Sequence, residues 1–301
     1  MTVVGSFMYD LVATAPRRPK KGETLIGDSF GMFLGGKGAN QAIAASRAGA
    51  TVSMVGRLGN DLFGDLFLEK FSAEGINTDF VIQDTENGTG VGMPLIDAAG
   101  DNSIVIIPQA NMALSVENIN QAESSIADSD LLVLQCEVPM EANQRAAEIA
   151  KKNDSLVILN PAPACEIPDV LLSLIDIITP NESETEILTG MPTESDNRTI
   201  EAAHFLLSKG IEIVILTLGN RGSLLLTEAI EKRIPAYAVD VVDTTAAGDA
   251  FCGALASALS GGKMIEEAVD IANAAGALAV TKLGAEPSLP SKEAIDQLLT
   301  N

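Results

Sequence analysis

Two glycine-rich segments hold the residues of this chain whose types and spacing could do chemistry. Asp243-Thr-Thr-Ala-Ala-Gly-Asp-Ala-Phe251 runs into Ala250, Phe251, Ala254, Leu255, Ala258 and Leu259 at helical spacing, which stops at Gly261-Gly262. The spacing predicts a helix starting at Ala247-Gly248-Asp249. Small residues there let a phosphoryl group approach free backbone N–H groups, and the helix dipole favours its negative charge. Asp249 could accept a proton from a substrate hydroxyl. A free aspartate is a weak base toward an alcohol, but it need act only as the proton leaves in the transition state. The same residues would also make an ordinary helix start with an acidic first turn.

The other segment is Gly35-Gly-Lys-Gly-Ala-Asn40. Its glycines permit close backbone approach, and a helix follows whose first N–H groups could bind oxygens. Lys37 and Asn40 add donors. Gly31 to Gly38 comes within one residue of a P-loop, but Gly38 stands where a magnesium-binding Ser or Thr is needed, so that reading fails. A turn that merely joins strand to helix is the plainer alternative.

The elements that must position these loops alternate. Val52-Ser-Met-Val-Gly56, Leu131-Leu-Val-Leu-Gln135, Leu156-Val-Ile-Leu159, Ile175-Asp-Ile-Ile178 and Ile213-Val-Ile-Leu-Thr217 read as buried strands. Amphipathic helices are predicted at about 39–48, 62–73, 141–152, 199–208 and 265–281. This is an α/β pattern with a mostly parallel sheet, and ligands are expected at the carboxyl ends of its strands. Segments 11–33 and 90–107 break the alternation and read as a small β lid on a single 1–301 domain.

Composition excludes several function classes. A formal net charge of -22 would repel a nucleic-acid backbone or an anionic membrane. No apolar run approaches the ~18 residues of a membrane helix. The N-terminus lacks a signal-peptide pattern, and three cysteines suit a reducing, cytoplasmic compartment. With few aromatics and no Trp, the core is expected to be aliphatic.

Taken together, the motifs resemble the ribokinase-like (PfkB) sugar-kinase family over nearly the whole chain. They include Gly35–Ala42, Asn160-Pro-Ala-Pro163, Thr179-Pro-Asn-Glu-Ser-Glu184, Thr217-Leu-Gly-Asn-Arg-Gly222, Asp243–Phe251 and Ala279–Ser288. The resemblance implies a three-layer α/β/α sandwich and an ATP-dependent transfer of the γ-phosphoryl group to a sugar hydroxyl, with ribose to ribose 5-phosphate first. It implies that Asp249 is the catalytic base and that the N–H groups of Ala247 and Gly248 form the anion hole. Asp10, Gly36, Lys37, Gly38, Asn40 and Glu137 would bind the sugar; Asn181, Thr217, Gly219, Gly222, Gly248 and Asn273 would bind the nucleotide. Asn181 and Glu184 match an Asn-x-x-Glu motif that serves magnesium, Glu184 indirectly. Asp243, Thr245, Ala279, Lys282, Gly284 and Ser288 match a monovalent-cation (potassium) site, mostly through carbonyls. A homodimer through the β lid is also implied.

The chain departs from the family pattern that goes with ribose in two places. Met8 stands where an Asn is expected two residues before the sugar-binding Asp, and the lid tip reads Pro108-Gln-Ala-Asn111. Met offers apolar bulk where Asn offers hydrogen bonds. A nucleoside or fructose-type kinase of the same family, or a non-catalytic sugar- or nucleotide-binding regulator, are the competing expectations. His204, Cys136 and the basic run Arg17, Arg18, Lys20, Lys21 read as structural or surface features.

Overall fold

The computed structural model describes residues 1–300; residue 301, the last of the expected domain, lies outside them. In chain order the strands are β1 (Thr2–Val4), β2 (Met8–Thr14), β3 (Ser29–Gly35), β4 (Ser53–Gly59), β5 (Asn77–Asp84), β6 (Gly90–Ile96), β7 (Asn102–Ile107), β8 (Leu131–Leu134), β9 (Leu156–Leu159), β10 (Ile177–Ile178), β11 (Ile213–Thr217), β12 (Ser223–Leu226) and β13 (Glu231–Ile234). Nine of them form one sheet in the order β13-β12-β11-β10-β9-β8-β1-β4-β5. It is parallel from β11 to β5, and β12 and β13 add antiparallel strands at one edge.

Alternate side chains of the central strands feed two separate cores, as the two-residue repeat of a strand requires. Val3, Val133, Ile158 and Ile215 face one core, with helices Lys37–Arg47, Leu62–Ala73, Ala247–Ser260 and Ile265–Ala279. Val4, Leu132, Leu134, Val214 and Leu216 face the other, with helices Met140–Lys152 and Asp196–Leu207. The result is the expected three-layer α/β/α arrangement. Both cores are mainly aliphatic, but Phe7, Phe67 and Phe71 gather in an aromatic cluster with ring centroids 5.2–6.3 Å apart.

A second sheet, β3-β2-β6-β7, forms the lid. It starts earlier than the sequence suggests, because Met8–Asp10 already pair with Gly35–Phe33 and with Gly90–Gly92. Asp10 is therefore a lid residue. Strands β1, β5, β12 and β13 escaped the sequence reading: Thr2–Val4 has only three residues, and Asn77–Asp84 and Glu231–Ile234 mix charged and apolar residues, as edge strands do.

Helices Lys37–Arg47 and Ala247–Ser260 cross at backbone contact. A Cβ on Gly253 would lie 2.5 Å from Ala44 Cβ and 2.7 Å from the Gln41 carbonyl oxygen. Gly253→Val is therefore expected to lower the unfolding free energy by about 1–3 kcal/mol. Urea denaturation checks this, and an unchanged midpoint would contradict the close crossing.

Candidate active site

Helix Ala247–Ser260 starts after Ala246, whose φ of 59° is left-handed and costly for a residue with a Cβ. The Ala247 N–H reaches the Thr244 carbonyl at 3.3 Å, while no protein acceptor meets the N–H groups of Gly248 and Asp249 among the described residues. Of the two donors expected to form the anion hole, Gly248 is thus free and Ala247 is held in a long bond. A Cβ on Gly248 would meet no atom within 4 Å. Its backbone does not need glycine for packing; it faces open space.

Asp249 is 6% exposed. Asn40 Nδ2 donates to its Oδ2 at 2.9 Å and Gln41 Nε2 to its Oδ1 at 3.0 Å. Both amides come from the first turn of helix Lys37–Arg47, so the two glycine segments meet at this carboxylate. Gly36 (φ 87°) and Gly38 let that helix start lie on the Gly5–Met8 backbone; a Cβ on Gly38 would fall 2.4 Å from Ser6 N. Glu137 Oε2 accepts from Lys37 N at 2.9 Å and from Ser6 Oγ.

The charged groups here feel one another. Burial, then Glu137 and Asp249, push the Asp10 carboxyl up to about 6. Burial alone would push the Lys37 ammonium down, but Asp249, Glu137 and Glu184 outweigh it and hold Lys37 charged above its usual range. Burial raises Glu184, against the Asn181 N–H and Lys37. Gly35 and Gly92 flank Asp10 so closely that a Cβ on either would strike its carboxylate oxygens.

Two cavities share a wall of Asn181, Thr217, Thr244, Ala247 and Gly248. The inner one, about 170 Å³, is bordered by Lys37, Asn160, Glu184 and Asp249. The outer one, about 760 Å³, is large enough for a nucleotide. Asn181, Thr217, Gly219, Gly222, Gly248 and Asn273 all line it. Asn181 caps helix Glu182–Thr189 and forms a reciprocal capping box with Glu184. Asn273 donates to Ser223 Oγ at 3.1 Å and so braces the wall.

The segments around Asp243 and Gly284 are also brought together. Asp243 accepts from Thr245 N and Oγ1 and from Gly284 N at 2.9 Å. Burial disfavours its charge, yet these donors hold its carboxyl below the usual range. Ser288 is fully buried in the same turn region, and its hydroxyl donates to the Ala285 carbonyl. The Ala279 carbonyl accepts from Lys282 N at 3.3 Å.

Sequence reasoning gave no role to Gln41, Ser6, Gly92 or Gln135. Gln41 carried one usable signal: a polar residue beside Ala39, Ala42 and Ile43, fully buried like them. Of the residues read as structural or surface features, His204 is half-exposed, 3.7 Å from Glu231; Arg17 pairs with Glu23; Cys136 is a half-buried free thiol. Among the described residues, no helix is long and apolar enough to cross a membrane.

Known proteins are similar to this chain over most of its length. The pattern of the pfkB family carbohydrate kinases matches residues 1–292. A ribokinase of Haemophilus influenzae is 43% identical over 293 residues, 97% of this chain and 96% of that protein. A deoxyribokinase of Salmonella typhi is 39% identical, covering 100% of this chain and 98% of the relative. The structure of Arabidopsis thaliana ribokinase complexed with ribose and ATP superposes with a TM-score of 0.94 at 35% identity, over 100% of this chain and 98% of that one. With the fold, the paired glycine segments and the two cavities in agreement, the chain belongs to the pfkB family of carbohydrate kinases.

Proposed function

We propose that this chain transfers the γ-phosphoryl group of ATP to a hydroxyl of a five-carbon sugar, with ribose as the first candidate acceptor, and that Asp249 is the base. The observation that carries the reading is the buried Asp249 carboxylate, which borders the inner cavity beside a Gly248 whose free N–H lies on the wall between the two cavities. The nucleotide occupies the outer cavity with its γ-phosphoryl group directed at Gly248. As the sugar oxygen bonds to phosphorus and the bond to the leaving ADP oxygen breaks, Asp249 takes the hydroxyl proton. The Gly248 N–H, and the Ala247 N–H once released from Thr244, donate to the phosphoryl oxygens. The charged Lys37 ammonium adds attraction. Asp10, Gly36, Gly38, Asn40 and Glu137 would hold the sugar; the buried Asn40 Oδ1, without a partner among the described residues, is an acceptor for a sugar hydroxyl.

The donor set fits hard cations. Asn181 and Glu184 offer amide and carboxylate oxygens beside the inner cavity, and magnesium bound nearby would neutralise phosphate charge. Asp243, kept ionised, joins the two segments whose Thr245, Ala279, Lys282, Gly284 and Ser288 would surround potassium. Exchanging potassium for lithium is expected to lower turnover, measured by ADP release; equal rates would discard this cation site.

A second reading has its own observation. Met8 is 4% exposed, with its sulfur 3.8 Å from Asn111 Nδ2 and against Gly90, two positions along the strand from Asp10. An apolar thioether cannot replace the hydrogen bonds of an amide, so a sugar lacking one hydroxyl loses less here than ribose does. One of the relatives is a deoxyribokinase. An acceptor panel of ribose, 2-deoxyribose, fructose and adenosine tests both readings. Ribose or deoxyribose should give the highest kcat/KM, and Met8→Asn should shift the ratio toward ribose by about tenfold. Turnover of adenosine alone would overturn the sugar reading, and ATP binding without any turnover would favour a regulator.

The glycine at the phosphoryl position gives a sharper test. Gly248→Ala should stabilise the helix by up to ~1 kcal/mol while turnover falls, because the new methyl enters the space for the phosphoryl group. Higher Tm with unchanged kcat would contradict that placement.

The lid supports a homodimer. Ile104, Val105, Ile106 and Ile107 on β7 are 43–58% exposed, and Phe30 and Met32 on β3 are 65% and 51% exposed. Apolar strands at both edges of this sheet suit a second copy of the chain in a cytoplasmic enzyme. Light scattering is expected to give twice the chain mass, and a monomer at working concentration would contradict it.

A further inference from the structure

Behind Asp249 lies a chain of buried side-chain amides that the reaction as described does not use. Gln41 Nε2 donates to Asp249 Oδ1 at 3.0 Å and to Asn160 Oδ1 at 3.1 Å. Gln41 Oε1 accepts from Gln135 Nε2 at 2.8 Å. Asn160 Nδ2 donates to the Thr179 carbonyl at 2.9 Å, and Asn143 Nδ2 donates to the Gln135 carbonyl. Gln41 and Gln135 are fully buried.

The direction of every bond is fixed. An ionised carboxylate and a backbone carbonyl only accept, so Gln41 must turn its NH2 toward Asp249, and its oxygen then requires a donor. Gln135 supplies it. Asn160 donates to Thr179 and so offers its oxygen to Gln41. The cost of this arrangement is visible: Gln135 Oε1 is buried with no partner among the described residues. Only a glycine at position 5 leaves room for it, since a Cβ there would lie 2.1 Å from that oxygen. An amide oriented the other way would oppose the carboxylate and free Asp249 to rotate.

We infer that Gln41 is a positioning residue for phosphoryl transfer: the amide chain Gln135–Gln41 clamps the Asp249 carboxylate in the orientation from which it takes the acceptor's proton. Asn40 holds the other carboxylate oxygen but stands among the proposed sugar ligands. Gln41 is fully buried, so it can act only through the groups it holds, Asp249 and Asn160. A base that must meet a hydroxyl within hydrogen-bond reach while that oxygen is in line with phosphorus tolerates little rotation. The inference rests on the reading of Asp249 as the base.

The test is a double-mutant cycle with the full chain, using ATP and the best acceptor of the panel. Gln41→Met keeps the volume and removes the amide. It is expected to lower kcat by about ten- to a hundredfold, the loss of one hydrogen bond to a charged group, with KM for sugar and ATP unchanged. Gln135→Met should do the same more weakly. In the Asp249→Ala background neither change should lower the residual rate further. The inference is overturned if Gln41→Met, folded by circular dichroism, turns over like the parent, or if it costs the same factor with and without Asp249. Should Gln41→Met fail to fold, the Gln135→Met cycle decides by the same two outcomes. Asp249→Ala with near-normal turnover would instead remove the base reading and this inference with it; an inactive Asp249→Ala beside an indifferent Gln41→Met removes the inference only.

Discussion

A carboxylate 6% exposed to solvent must find its hydrogen bonds in the protein, because water is nearly excluded and an unmet charge is costly. Asp249 meets this demand with Asn40 and Gln41, and much of the surrounding fold follows from it. The two amides lie on helix Lys37–Arg47, so that helix must be pressed against helix Ala247–Ser260. Gly253 permits the contact at the level of Gln41 and Ala44. The start of the first helix must then descend onto the Gly5–Met8 segment, which Gly36 and Gly38 allow. The nine-strand sheet is the platform that holds both helices on one face.

The same demand shapes the electrostatics. Glu137, Glu184 and Asp249 gather around one half-buried lysine, with Asp10 beside Glu137 and Asp249, in a chain of net charge -22. Such a site repels ATP unless dipoles and cations intervene. The free N–H of Gly248 at a helix start and the charged Lys37 supply part of the attraction. The oxygen-rich walls at Asn181–Glu184 and around Asp243 are suited to ions that supply the rest.

Much of this was legible in the sequence, for physical reasons. Branched apolar runs such as Leu131–Leu134 can be buried on both faces only in a covered parallel sheet, so the core strands were readable. Glycine clusters and the small helix start at Ala247 marked backbone approach, which is where the two loops converge. What was hidden depends on long-range contact. Strand β5 carries Asn77, Asp79, Gln83 and Asp84 among its apolar residues, and only pairing with β4 makes it a strand. The lid begins at Met8 because of partners 25 and more residues away. The task of Gln41 is hidden because its partners Asp249, Asn160 and Gln135 lie more than 90 positions distant.

The most direct measurement is a crystal structure of this chain with its preferred sugar and a non-hydrolysable ATP analogue. The account predicts an acceptor hydroxyl within hydrogen-bond distance of Asp249, with the same oxygen in line with the γ-phosphorus and a γ-phosphoryl oxygen on the Gly248 N–H. A sugar whose hydroxyls all lie beyond reach of Asp249, or a γ-phosphoryl group away from the start of helix Ala247–Ser260, would contradict it.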